Sequence, residues 1–165
     1  MKEKSILILS VLISILLFFI AAKRNLRRSV VVLLFVQTYT WISGLLVAEF
    51  NLIKYPVKIL FKKSYKGSFE YEHIVFPAYC VLFCKFYPHK MGKLTKTVYY
   101  SGFTSFITFL EIFAVRKTNT IKLIHWNLWM SALTIAATFF FTVSFEKWFF
   151  KLYSSEKSSN VSLKL

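Results

Sequence analysis

Glutamate supplies all the acidic side chains of this chain, because its 165 residues include seven Glu and no Asp. One of them, Glu111, lies late in an apolar stretch, roughly 6 Å inside the end of its predicted helix at a rise of about 1.5 Å per residue. A carboxylate at that depth is costly unless it is protonated, paired or hydrated. Glu111 is therefore the first candidate for proton or cation chemistry.

Other side chains that could share this chemistry are expected on the same side of the membrane as Glu111. They lie at the end of the second, the start of the third and the start of the fifth predicted span, and are Glu49, Glu72, His73, His125 and Asn127. Such a group could bind a proton, a cation or Zn²⁺. Ordinary interfacial positions also explain Glu72 and His73. No span carries two ligands at metal spacing, so no metal site is expected.

Helical phase gathers the polar side chains of the last two spans into two stripes. At 100° per residue they fall within arcs of about 120° and about 80°. The first stripe is Ser101, Thr104, Ser105, Thr108 and Glu111, and the second is Asn127, Ser131, Thr134, Thr138 and Thr142. A short connection allows the stripes to face each other, which predicts a Glu111–Asn127 pair. Interhelical packing is the alternative explanation of the Ser and Thr positions.

The spans themselves are delimited by basic residues. The chain is 56% apolar and 19% aromatic with a net charge of +15, and nearly all of its 22 Lys and Arg lie between the apolar blocks. A hydrocarbon core of about 30 Å needs about 20 helical residues. The intervals predict an all-α polytopic membrane helix bundle with five spans, at 5–22, 29–53, 73–90, 97–115 and 124–146. We expect one domain over 1–153 and a flexible polar tail over 154–165.

Three segments leave alternatives open. The first span could be a signal peptide, although it is long for one and Ile20 stands where a small residue should precede the cleavage position. The third has a short apolar stretch, 74–87, that contains Pro77, so it is expected to be kinked, re-entrant or extended by snorkelling lysines. The segment 54–66 carries five lysines, which predicts a position at the lipid interface.

Charge also predicts the orientation and the partners. The arginine-rich turn at 23–28 favours a cell-membrane protein with its N-terminus outside and its C-terminus in the cytoplasm. Because the positive charge is distributed around the spans, it does not indicate nucleic acid as a partner. The expected partners are the lipid bilayer and either another membrane protein or a second copy of the chain.

Four short motifs carry a resemblance. They are Phe76-Pro77-Ala78, Tyr87-Pro88, the late-helix Glu111, and Trp126-Asn127-x-Trp129-x-Ser131. Together they resemble an uncharacterised family of small multi-spanning membrane proteins from Gram-positive, spore-forming bacteria. This chain departs from the family pattern at His125, where a small residue is more usual, and at Met130, where a second aromatic is common. The resemblance implies no activity, and it implies as site residues Glu111, Trp126, Asn127 and Trp129.

Two hypotheses for function follow. In the first, the protein is a small permeation element for protons, cations or another solute, and Glu111 binds the ion. In the second, it is a non-enzymatic structural or partner-binding membrane component, with Glu111 and Asn127 as interhelical hydrogen-bonding groups. The sequence contains no catalytic constellation and no cofactor motif, so an enzyme is not expected. Cys80 and Cys84, one helical turn apart, are expected to be buried thiols.

Overall fold

A computed structural model describes residues 2–61, 63 and 66–162, with side chains described as far as Lys151. Over that part of the chain the structure is a bundle of five α-helices. They are α1 Lys2–Ala22, α2 Leu26–Glu49, α3 Phe76–Phe86, α4 Lys93–Lys117 and α5 Leu128–Ser162. A π-helical turn, Tyr71–Val75, leads directly into α3, and two short strands, β1 Ile53–Lys54 and β2 Lys122–Leu123, form an antiparallel ladder.

Four of these helices are long and apolar enough to cross a membrane, namely α1, α2, α4 and the part of α5 over Leu128–Lys151. The predicted all-α membrane bundle is therefore confirmed as a fold class. The ladder joins the chain that follows α2 to the chain that follows α4. We call the end of the bundle that carries it the ladder end, and the other end, with the α1–α2 and α3–α4 loops, the opposite end.

The second span ends at Glu49, four residues before its predicted end, because Asn51 closes the helix. Asn51 has a left-handed φ of 51°. The N–H groups of Asn51 and Leu52 donate to the carbonyls of Ala48 and Val47 at 3.2 and 3.0 Å, which is the Schellman arrangement. Asparagine tolerates that conformation better than most residues, so the chain leaves α2 here and enters β1.

The third predicted span is a short, enclosed helix. The π-helical turn and α3 cover 71–86, roughly 24 Å at about 1.5 Å per residue, so this segment is shorter than a hydrocarbon core of about 30 Å. Its buried residues include Pro77, Ala78, Cys80, Val81, Phe83 and Cys84. Helices α1, α2 and α5 pack around it. The two cysteines are free thiols in this interior, as expected.

Helix α2 compensates for the irregular start of α3. Pro77 has no N–H to donate, and the change from π-helical to α-helical bonding passes over a further carbonyl. Two side chains of α2 donate to the carbonyls concerned. Gln37 Nε2 lies 2.7 Å from the His73 oxygen, and Thr40 Oγ1 lies 2.7 Å from the Glu72 oxygen. The polar residues inside α2 therefore satisfy buried backbone groups of its neighbour.

Aromatic rings join α3 to α4 and α5. Phe83 of α3 stacks on Phe139 of α5, with ring centroids 4.3 Å apart and an interplanar angle of 16°. Both side chains are fully buried. From α4, the Tyr99 hydroxyl donates to the Phe83 carbonyl at 3.0 Å, and the Tyr100 hydroxyl donates to the Ala136 carbonyl.

The fifth helix differs from its predicted span at both ends. It begins at Leu128, four residues after the predicted start at 124, and the N–H groups of Ile124 and His125 donate to the Leu52 carbonyl at 2.9 and 3.2 Å. At the other end its backbone continues past 146 to Ser162. The predicted tail over 154–165 lies mostly in this continuation, and its flexibility stays a prediction, as residues 163–165 lie outside the described part.

Candidate functional site

Glu111 is hydrogen-bonded across the α4–α5 interface. Ser131 Oγ donates to Glu111 Oε1 at 2.6 Å, and Trp126 Nε1 donates to Ser131 Oγ at 2.9 Å. Ser131 is almost completely buried, with 3% of its surface exposed. This chain of three side chains ties α4 to the first turn of α5 and to the segment before it. A hydroxyl donor at this distance is the kind of partner that a carboxylate at membrane depth requires.

Asn127 has a different role from the predicted one. Its Oδ1 accepts the N–H of Met130 at 2.8 Å, and its carbonyl accepts the N–H of Ser131 at 3.1 Å. These contacts make it the N-cap of α5. The bonds described for Glu111 do not include one to Asn127. An asparagine just before an apolar helix readily accepts a hydrogen bond from a free N–H group of the first turn. That preference is visible in the sequence and indicates Asn127 as an N-cap.

Three further predicted residues lie away from this cluster. Trp129 is 86% exposed, on the surface of α5. Glu49 is exposed, and its Oε2 lies 3.9 Å from Lys66 Nζ. His125 is exposed beside the ladder. Their positions suit the aromatic and charged rim of a membrane protein.

Glu72 and His73 form a second polar cluster at the ladder end. Glu72 Oε1 accepts the N–H of Ser68 at 3.1 Å. Its carboxylate lies directly against Gly44 of α2, where a Cβ would overlap it. The His73 ring lies 4.5 Å from that of Phe69, and its buried Nδ1 has no hydrogen-bond partner in the part of the chain that the structure describes. Gly44 is therefore a packing requirement for Glu72.

Glu70 was not singled out from the sequence, and it organises the loop before α3. It is 1% exposed and accepts the N–H groups of Ile59 and Leu60 at 2.6 and 2.7 Å and the Ser68 hydroxyl at 3.1 Å. Burial acts to raise the pKa of Glu70, but these hydrogen bonds outweigh it and hold the pKa below its usual value. A buried carboxylate therefore holds part of the predicted interfacial segment 54–66 in place, through the N–H groups of Ile59 and Leu60.

Most of the hydroxyl stripe of α5 faces the interior of the bundle, with Ser131, Thr138 and Thr142 buried and Thr134 exposed. Thr134, Thr138 and Thr142 each donate to the carbonyl four residues earlier, at 2.6–2.9 Å. Their protons are thus used within their own helix, a common arrangement for Thr in membrane helices. Within this stripe, Ser131 donates across to Glu111 of α4.

A third polar cluster lies at the opposite end, and its members were not predicted. Glu146 is 2% exposed, and its Oε1 accepts a hydrogen bond from Arg28 Nε at 2.8 Å. Its Oε2 lies 3.6 Å from His89 Nε2. The sequence held a signal for it, because Glu146 follows Thr142 by four residues and so continues the buried face of α5. Its position at the predicted end of the span concealed this.

A comparison of the chain with protein-family models, with curated proteins and with solved structures finds no match. The helices and their hydropathy define the class as a multi-pass helical membrane bundle. Over the described residues, no three His, Cys, Asp or Glu side chains are grouped so as to hold a metal ion. The resemblance to a family of small bacterial membrane proteins stays a prediction.

Proposed function

We propose that the protein is a non-enzymatic membrane component that associates with a second copy of itself through α4. The observation that carries the proposal is a mismatch. Of the four helices able to cross a membrane, α4 has the lowest mean hydropathy and also the smallest buried share. A helix that faces lipid on most of its surface is expected to be the most apolar of a bundle. A protein partner on α4 would remove this mismatch.

The exposed surface of α4 has the composition of a helix-packing interface. Its central residues, Ser101, Gly102 and Ser105, are small and exposed, and a Cβ added at Gly102 would meet no atom of the described residues within 4 Å. Small residues at a spacing of four let two membrane helices approach closely. We define the α4 face as these residues and their larger exposed neighbours, Val98, Phe106 and Phe109.

Glu111 supports the proposal because it holds α4 by its other side. At 100° per residue, Glu111 lies about 150° around the helix from the middle of the α4 face. Its bond to Ser131, with the hydroxyl bonds of Tyr99 and Tyr100, fixes α4 on α5 and α3. The face is thereby presented outward by a helix that is anchored along its length.

A second copy is the favoured occupant because the α4 face is its own complement. Copies inserted in the same orientation present the same small residues at the same depth, so a two-fold axis along the membrane normal brings Ser101, Gly102 and Ser105 of each against the other. Basic residues lie at both ends of α4, with Lys93 and Lys96 at one end and Arg116 and Lys117 at the other. From these positions their side chains can reach lipid phosphates.

The test is the number of copies in lipid nanodiscs for the wild type, Ser105→Leu and Thr38→Leu. Leucine suits lipid but blocks close approach, so we expect Ser105→Leu to weaken a wild-type dimer by roughly tenfold or more, about 1.4 kcal/mol. Thr38, exposed on α2, is the matched control and should leave the dimer intact. A monomeric wild type, or a dimer that Ser105→Leu leaves unchanged, would exclude the proposal.

The orientation in the cell membrane belongs to the same proposal. We place the ladder end outside and the opposite end in the cytoplasm, supported by the basic turn Lys23–Arg28 between α1 and α2. Short basic loops beside early spans dominate insertion.

A second candidate function is permeation of protons or cations, and one observation favours it. The buried stripe of α5 begins at Ser131, which is bonded to Glu111, and runs through Thr138 and Thr142 to Glu146. Carboxylates at both ends of a polar line occur in proton relays. Vesicles containing the wild type should then pass protons faster than vesicles containing Glu111→Gln. Equal flux in the two preparations would remove this candidate.

A further inference from the structure

Glu146 has one carboxylate oxygen that is satisfied and one that is not. Oε1 accepts the Arg28 guanidinium at 2.8 Å. Oε2 is buried and has no hydrogen-bond partner among the described residues. A buried carboxylate oxygen without a donor is costly. Nε2 of His89 lies 3.6 Å from Oε2, which is too long for a hydrogen bond.

His89 is placed where it can exchange protons with water. It lies in the loop between α3 and α4, its side chain is one-third exposed, and its ring packs edge-on against Tyr87 at 4.9 Å. A neutral imidazole whose proton is on Nδ1 presents a lone pair to Oε2, which agrees with the 3.6 Å separation. A proton added to Nε2 would make that atom a donor.

We propose that His89 and Glu146 form a proton-binding site that controls how the α3–α4 loop is held on α5. The proton comes from water and adds to the Nε2 lone pair, so that no bond is broken. It then lies between imidazole and Oε2. The other charged or titratable groups that face the pair come from each surrounding helix, namely Arg28 of α2, Cys84 of α3, Lys96 of α4 and Lys147 of α5.

These neighbours determine the sign of the response. Burial lowers the pKa of His89; Glu146 acts to raise it, but Arg28, Lys147 and Lys96 add to the lowering, and the pKa is below its usual value. The unfolded chain therefore binds this proton at a higher pH than the folded chain does. Neutral His89 contributes its full stability above the pKa of the unfolded chain, about 6.5. That contribution is lost as the pH falls through the pKa of the folded chain. Acidification should weaken the hold of the loop even though the new N–H faces Oε2, because burial and the three cations outweigh that contact.

The direct test is an NMR titration of histidine imidazoles in the full chain in micelles. We expect the pKa of His89 to lie below about 6.5 in the wild type and to fall further in Glu146→Gln, because that change removes the negative charge that favours imidazolium. A wild-type pKa at or above the ordinary value, or a pKa that Glu146→Gln leaves unchanged, would overturn the proposal. If Glu146→Gln does not fold, the wild-type titration still decides.

Thermal unfolding gives an independent measurement. Between pH 7.5 and 5.5 we expect the Tm of the wild type to fall by about 2 °C or more, and the fall to be smaller in His89→Gln. His125→Gln is the matched control, since His125 is exposed near the ladder end, and it should behave as the wild type does. An equal fall in His89→Gln and His125→Gln would contradict the pair. This inference does not depend on the α4 face.

Discussion

At the scale of single residues, the interior carboxylates are distinguished by the donors around them. Glu111 receives one hydroxyl, Glu70 receives two backbone N–H groups and a hydroxyl, and Glu146 receives a guanidinium. Three carboxylates that look alike in a sequence therefore hold together a helix pair, a loop and an ion pair. Their differences follow from which hydrogen-bond donors the fold places within about 3 Å.

Ser131→Ala tests the value of the Glu111 contact. The change leaves a half-buried carboxylate without its hydroxyl donor, so we expect a loss of about 1–3 kcal/mol in the free energy of unfolding. Thr134→Ala is the control, because Thr134 donates within its own helix and should cost less. Reversible unfolding in mixed micelles measures both. Similar losses in the two variants would show that the Ser131–Glu111 bond adds nothing.

The depth and helical phase of these side chains could be predicted from the sequence, but their partners could not. Period and spacing place Glu111 and Ser131 on facing stripes. Whether Glu111 pairs with Ser131 or with Asn127 depends on where α5 begins, because these two residues are one helical turn apart. Capping by Asn127 settled that start. Glu146 was missed for the same reason, because a boundary drawn at 146 treats a buried residue as an edge residue.

At the scale of elements, the irregular start of α3 is balanced by α2. Pro77 and the π-helical turn leave two carbonyls to be satisfied, and Gln37 and Thr40 donate to them. From Pro77 and a short apolar stretch, the sequence predicts a segment that is kinked, re-entrant or extended by snorkelling lysines. It could not identify the compensating side chains, because they lie 36 and 32 residues away along the chain and become neighbours only when α2 and α3 pack.

A double-mutant cycle tests this balance. Gln37→Leu should lower the free energy of unfolding by about 1–3 kcal/mol, since the partly buried His73 carbonyl loses its donor. In a Pro77→Ala background the new N–H can serve the region, so the same Gln37 change should cost less. Unfolding in micelles measures the cost of Gln37→Leu in the wild type and in Pro77→Ala, and the two costs are compared. Additive losses would mean that Gln37 and Pro77 act independently.

At the scale of the whole molecule, the bundle has a dense side and an open side. Helices α1, α2, α3 and α5 enclose the core, while α4 attaches chiefly through α5 and exposes most of its surface. The sequence identifies α4 as a span but not as the outermost one, because helix order around a bundle is set by packing between distant segments. The low mean hydropathy of α4 points to a protein partner only once the exposure of α4 is known.

The central claim, that two copies meet at the α4 face, is tested most directly by cysteine cross-linking in membranes. Ser105→Cys should form disulfide-linked dimers under mild oxidation, because a close helix crossing brings the two Cα atoms within about 7 Å. Leu12→Cys, exposed on α1, is the matched control and carries the same two buried native thiols. We predict dimers for Ser105→Cys well above those for Leu12→Cys. Equal yields for the two variants, or none for Ser105→Cys, would contradict the claim.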